Sequence, residues 1–67
     1  MKTWKIFSNG LEIVAYITVN NDNIFDDGYY ALQYVRKNID KNANGPQLLD
    51  IKNNEKMLDN IRHIVIE

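Results

Sequence analysis

Ser8-Asn9-Gly10-Leu11 places an Asn-Gly pair between two apolar runs, the strongest short-range signal for a β-hairpin that a chain can carry. A two-residue type I′ turn needs positive φ at both central positions, and Asn followed by Gly meets that need at least steric cost. The turn predicts Ser8 opposite Leu11, Ile6 opposite Ile13, Trp4 opposite Ala15 and Lys2 opposite Ile17. Side chains alternate across a strand, so one face carries Trp4, Ile6, Leu11, Ile13, Ala15, Ile17 and Val19. The other carries Thr3, Lys5, Phe7, Glu12, Val14, Tyr16 and Thr18. The first set is apolar and the second mixed, as in an antiparallel sheet with one buried and one wet face. A slip of one residue would bury Lys5 and Glu12, so this register is expected to be firm.

The middle of the chain changes period. Asn20-Asn21-Asp22-Asn23 closes the hairpin and offers helix caps, with Asn23 and Asp26 spaced as a loose capping box. A helix is predicted from about Ile24 to Asp40, with Phe25, Tyr29, Leu32, Val35 and Ile39 on one stripe assigned to the sheet. Gly28 weakens its first turn by up to ~1 kcal/mol relative to Ala and moves the expected start toward Asp27. The opposite side carries Tyr30, Tyr34, Lys37 and Lys41 at i, i+4, i+7 and i+11. An aromatic-basic stripe of this kind suits an acidic partner, a dimer seam or stacked bases. The bland alternative is a solvated face of lysine stems and tyrosine rings.

Lys41-Asn42-Ala43-Asn44-Gly45-Pro46 is read as a loop. Two organisations remain open beyond it. In one, Gln47 to Lys52 is a strand that turns at Asn53-Asn54 and returns through Glu55 to Leu58, pairing Leu49 with Leu58 and Lys52 with Glu55. In the other, residues 54–62 form a helix. Both end in a β-branched strand from Arg62 to Glu67. The expected fold is therefore α+β: a small antiparallel sheet, made from the N-terminal hairpin and the C-terminal strands, packed against one helix. Residues 1–67 make a single domain.

The chain has 67 residues, and one this short buries roughly 60% of its unfolded surface, which leaves a thin stability margin. It has no cysteine, so disulfides and thiolate metal sites are excluded, and a reducing cytosol suits it. The net charge of −1 argues against a dedicated nucleic-acid binder, which normally carries a basic excess. The longest apolar run, Ile13 to Ile17, is far short of the ~20 residues a membrane span needs. Abundant Asn, Ile, Lys and Tyr match A+T-rich codons and suggest a bacterial or phage origin.

Chemistry is sparse. The single histidine, His63, has no carboxylate or nucleophile beside it to orient. Asn23 to Tyr34 has the length of a calcium loop, yet Phe25 and Tyr34 stand where oxygen ligands are required. Asp22, Asp26 and Asp27 read as helix-start acids, or else as an acidic docking patch. No catalytic, cofactor or metal residues are assigned. The expectation is a non-enzymatic, cytoplasmic protein-binding or regulatory module, possible as a homodimer through its strand edges. Its candidate partner-binding residues are Phe7, Val14, Tyr16, Tyr30, Tyr34, Lys37 and Lys41, since large aromatics anchor interfaces. The alternatives are a nucleic-acid-binding accessory protein using the Tyr/Lys helix face, and a mobile-element-encoded inhibitor of a host protein.

Overall fold

The computed structural model describes residues 1–9 and 11–67, so the Gly10 half of the Asn9-Gly10 turn lies outside the described residues. The elements are strands β1 (Lys2–Phe7) and β2 (Ile13–Val19), helix α1 (Asp27–Asn38), and strands β3 (Asn44–Leu48) and β4 (His63–Ile66). A short 3₁₀ turn, Ile51–Asn53, lies between the last two strands. The fold is α+β, with one helix packed against a four-stranded sheet in the order β3-β1-β2-β4.

β1 and β2 are antiparallel, but their register is two residues away from the one expected. Ile6 pairs with Ala15, Trp4 with Ile17 and Lys2 with Val19. The Ser8 N–H donates to the Glu12 carbonyl at 2.6 Å, and the ladder is irregular between Ile6 and Phe7. The Leu11 N–H closes the expected turn on the Ser8 carbonyl at 3.1 Å, but the connection to β2 is longer than two residues, and Leu11, at φ 74°, is drawn out of the strand into solvent. A shift of two preserves the side-chain alternation. Trp4, Ile6, Ala15, Ile17 and Val19 therefore still face the helix, and Ile6, Ala15 and Ile17 are wholly buried.

The Asp26 carboxylate caps α1 by accepting from the Tyr29 N–H at 3.1 Å, so the start lies at Asp27 and the Asn23-Asp26 capping box does not form. The inward stripe is also corrected. Gly28, Ala31, Leu32 and Val35 are buried, whereas Phe25 and Tyr29 are exposed. Trp4 decides this. Its indole lies so close under Gly28 that a Cβ there would meet ring carbons at 2.8–3.0 Å. Small residues in the helix complement one large residue in the strand, and the helix sits close to the sheet. Arg36 Nε then holds the following loop by donating to the Ala43 carbonyl at 2.9 Å.

Asn44, Gly45 and Pro46, expected in a loop, instead begin β3. This strand is an edge, antiparallel to β1, and its register breaks between the Gln47 and Asn44 pairings. An edge or a bulge is where proline is tolerated in a sheet, because no ladder partner requires its missing N–H. Neither expected organisation of residues 47–62 forms. Asn54 adopts φ 64°, as a turn asparagine can, but it closes the 3₁₀ turn rather than a hairpin. The Leu49 N–H donates to the Thr3 carbonyl in β1 instead of pairing with Leu58. β4 then joins β2 in parallel, pairing Ile17 with Ile64 and Val19 with Ile66, so the sheet is mixed rather than wholly antiparallel. Ile64 and Ile66 extend the apolar layer facing α1.

The face away from the helix is not uniformly wet. Residues 55–61 run irregularly across it, and the Leu58 N–H donates to the Tyr16 hydroxyl at 3.1 Å. Lys5 Nζ meets Glu55 Oε2 at 2.8 Å. That ammonium, with the Asp50 backbone N–H second, holds the Glu55 carboxyl below its ordinary range. Thr3, Thr18 and His63 form a hydrogen-bonded row across three strands, at 2.7 Å between the threonine hydroxyls and 2.6 Å from Thr18 to His63 Nε2. His63 is thereby satisfied at the surface.

Candidate interaction surface

Helical spacing brings Tyr30, Tyr34 and Lys37 to one side of α1. With Gln33 and Asn38 they line a shallow groove of about 280 Å³. Tyr30 is 42% exposed, and its hydroxyl donates to the Glu67 carbonyl, fixing one wall of the groove against the end of the last strand. Tyr34 is half-buried against the core. Lys37 is exposed at the rim. The groove thus combines a partly desolvated aromatic floor with an exposed cation, an arrangement suited to acidic or aromatic side chains of a partner.

The other candidates separate. Lys41 is exposed but does not line the groove, because the helix ends at Asn38 and the chain turns away. Phe7 is half-buried and lies beside Gly45 at the start of β3. Val14 is half-buried against the core. Tyr16 is 1% exposed, covered by the irregular segment and hydrogen-bonded to Leu58, so it is part of the interior and not of a surface.

Two aromatics assigned to the core stand at the surface instead. Phe25 is fully exposed and Tyr29 is 56% exposed, one just before and one within the first turn of α1. The signal that could have placed them was Gly28 and Ala31, which with Leu32 and Val35 make a second apolar stripe at i, i+3, i+4 and i+7. Three aromatics, Phe25, Tyr29 and Tyr30, are therefore exposed on or beside one helix, with half-buried Tyr34 lining the groove next to them.

The acidic residues do not gather into a ligand set. Asp26 caps α1, Asp27 is buried 3.7 Å from Lys2 Nζ, and Asp22 accepts from the Met1 nitrogen. Among the described residues, no group of three or more His, Asp or Glu side chains is placed to hold a metal ion. A larger depression, of about 530 Å³, runs between the start of β1 and residues 48–52. Two of its charged groups are already engaged, since Asp50 caps the 3₁₀ turn and Lys2 faces Asp27. No helix of the described residues is long and apolar enough to cross a membrane. No protein-family model, curated protein or solved structure matches the chain.

Proposed function

We propose that this chain is a non-enzymatic protein-binding module that presents the aromatic outer side of α1 to a partner in the cytoplasm of a bacterial or phage-infected cell. The observation that carries the reading is the exposure of Phe25, Tyr29 and Tyr30 around the first turn of α1, beside the Tyr30/Tyr34/Lys37 groove. Large rings at the surface contribute area at little entropy cost on binding, and Lys37 adds charge selectivity at the rim. The absence of cysteine supports the reducing compartment.

Affinity capture from a cell extract tests this with wild type, Phe25→Ser/Tyr29→Ser and Lys37→Glu. None of these side chains holds the fold, so circular dichroism should be unchanged. A protein retained by wild type and lost by the variants supports the reading, and identical capture profiles sink it. The nucleic-acid alternative uses the same groove and makes a different demand. A labelled single-stranded oligonucleotide would bind at low salt, dissociate steeply as salt rises, and be lost in Lys37→Glu.

A further inference from the structure

The two edges of the sheet differ. At the β3 edge, Gly45 has φ 59°, Pro46 brings no N–H, and the register with β1 is broken, all of which blunt pairing with another strand. β4 has none of these devices. It ends the sheet, and among the described residues no other strand or helix lies along its outer side. Its backbone directions follow from the ladder. Tyr16 N–H donates to the Arg62 carbonyl at 2.9 Å and Asn20 N–H to the Ile66 carbonyl at 2.8 Å. Arg62, Ile64 and Ile66 thus direct their polar groups at β2, and His63, Val65 and Glu67 direct theirs outward.

We propose that the β4 edge pairs antiparallel with β4 of a second copy of this chain, about a two-fold axis at Val65, to give one continuous eight-stranded sheet. Only registers that set outward residues opposite outward residues make hydrogen bonds. Centring on Val65 sets it opposite itself and His63 opposite Glu67 of the second copy. Every outward N–H and C=O from His63 to Glu67 then finds a partner. The Glu67 carbonyl, already accepting from Tyr30, uses its second lone pair. The neighbouring permitted register, centred on Ile64, leaves Glu67 unpaired.

The side chains agree with this register. Val65, 58% exposed, meets its own copy on the face away from α1. On the same face His63 keeps Nε2 on Thr18 and turns its other ring nitrogen to the Glu67 carboxylate of the second copy, an opposite-charge cross-strand pair when the imidazole is protonated. On the helix face, half-buried Ile64 lies against Ile66 of the second copy, so two thin cores join across the seam. The contact is isologous and closes on itself, leaving only the blunted β3 edges exposed. The inference extends the binding-module reading without using the α1 groove, so either can fail alone.

Light scattering on the full chain, over concentrations up to about 1 mM, the weak end of specific association, reads the outcome directly. The expected mass rises with concentration to twice the 7.9 kDa of the protomer. Val65→Lys sets like charges opposite each other on the axis, and Val65→Pro deletes only an outward N–H, so both should remain at the single-chain mass with unchanged circular dichroism. If Val65→Pro unfolds, Val65→Lys alone decides, because it leaves the backbone donors in place. A wild type that stays at 7.9 kDa throughout overturns the proposal, and so does a Val65→Lys protein that still doubles its mass. Neither result touches the capture experiment on Phe25, Tyr29 and Lys37.

Discussion

Replacing Gly28 with Ala separates two opposed expectations. Helix propensity favours Ala over Gly by ~0.8–1 kcal/mol in a helix interior, and by less here, because Gly28 lies in the first turn of α1. Packing points the other way. The added Cβ would stand 2.8 Å from Trp4 Cη2 and 3.0 Å from Cζ2 and Cζ3. Carbon atoms settle at about 3.5–4.0 Å, so the ring or the helix would have to retreat by roughly 0.5–1 Å. The three atoms belong to one rigid ring packed against the core, so they cannot move independently. Overfilling a packed site costs about 1–3 kcal/mol, which exceeds the propensity gain and leaves a net loss on the order of 1 kcal/mol. In a domain of this size that lowers the melting temperature by roughly 4–8 °C. Urea unfolding followed by circular dichroism measures it. A Gly28→Ala protein as stable as wild type, or more so, would refute the close-packing argument. The Trp4→Phe background sharpens the test, and because Trp4 Nε1 is buried without a partner, that change forfeits no hydrogen bond. There the Gly28→Ala penalty should shrink or reverse sign, and a penalty of unchanged size would show that the indole is not its source.

Two further outcomes follow from the hairpin end and the far face of the sheet. Leu11 holds φ 74° with its side chain 83% exposed, so Leu11→Asn should gain up to about 1 kcal/mol by relieving left-handed strain without losing packing, read as a higher urea midpoint at unchanged slope. Glu55 is held below its ordinary value of 4.5, so its contribution to stability is fully present above that value and is lost as pH falls through the lower folded one. Glu55→Gln should therefore be less stable than wild type at neutral pH and converge with it in acid, and a gap that stays constant down the titration would count against the Lys5–Glu55 pair.

The faces of the N-terminal hairpin were legible because alternation survives a register error of two, as Ile6, Ala15 and Ile17 show. The loop length was not legible. Asn9-Gly10 signals a tight turn, and the Leu11 N–H does donate to the Ser8 carbonyl at 3.1 Å, but the Ser8 N–H pairs with Glu12 rather than Leu11, so the connection gains Leu11 in the left-handed region. The inner stripe of α1 was misread for a tertiary reason. Ranked by hydrophobicity, Phe25 and Tyr29 outbid Gly28 and Ala31 for the sheet, but the space beneath the first turn is already filled by Trp4. A period states which residues share a side, and the volume facing that side decides whether large or small ones fit. Likewise Pro46 looked like a stop signal and is admitted to β3 because that strand is an edge with a broken register.

The same distinction separates the candidate surface residues. Tyr30, Tyr34 and Lys37 stay together because a three-turn helix enforces i, i+4 and i+7 whatever packs behind it. Lys41 drops out because the stripe was extended past the real end of α1, where the Ile39 and Asp40 N–H groups both close on the Val35 carbonyl and the chain leaves the helix. Tyr16 drops out for another reason. Period-two alternation placed it on the far face of the sheet, correctly, but alternation carries no information about what crosses that face. The cover is residues 55–61, a segment without regular structure and so without a period to read, and it reaches Tyr16 through a backbone N–H that any residue but proline would supply at position 58. A surface built along one helix can therefore be read from spacing, whereas its loss beneath an irregular segment becomes visible only once the chain has folded back over it.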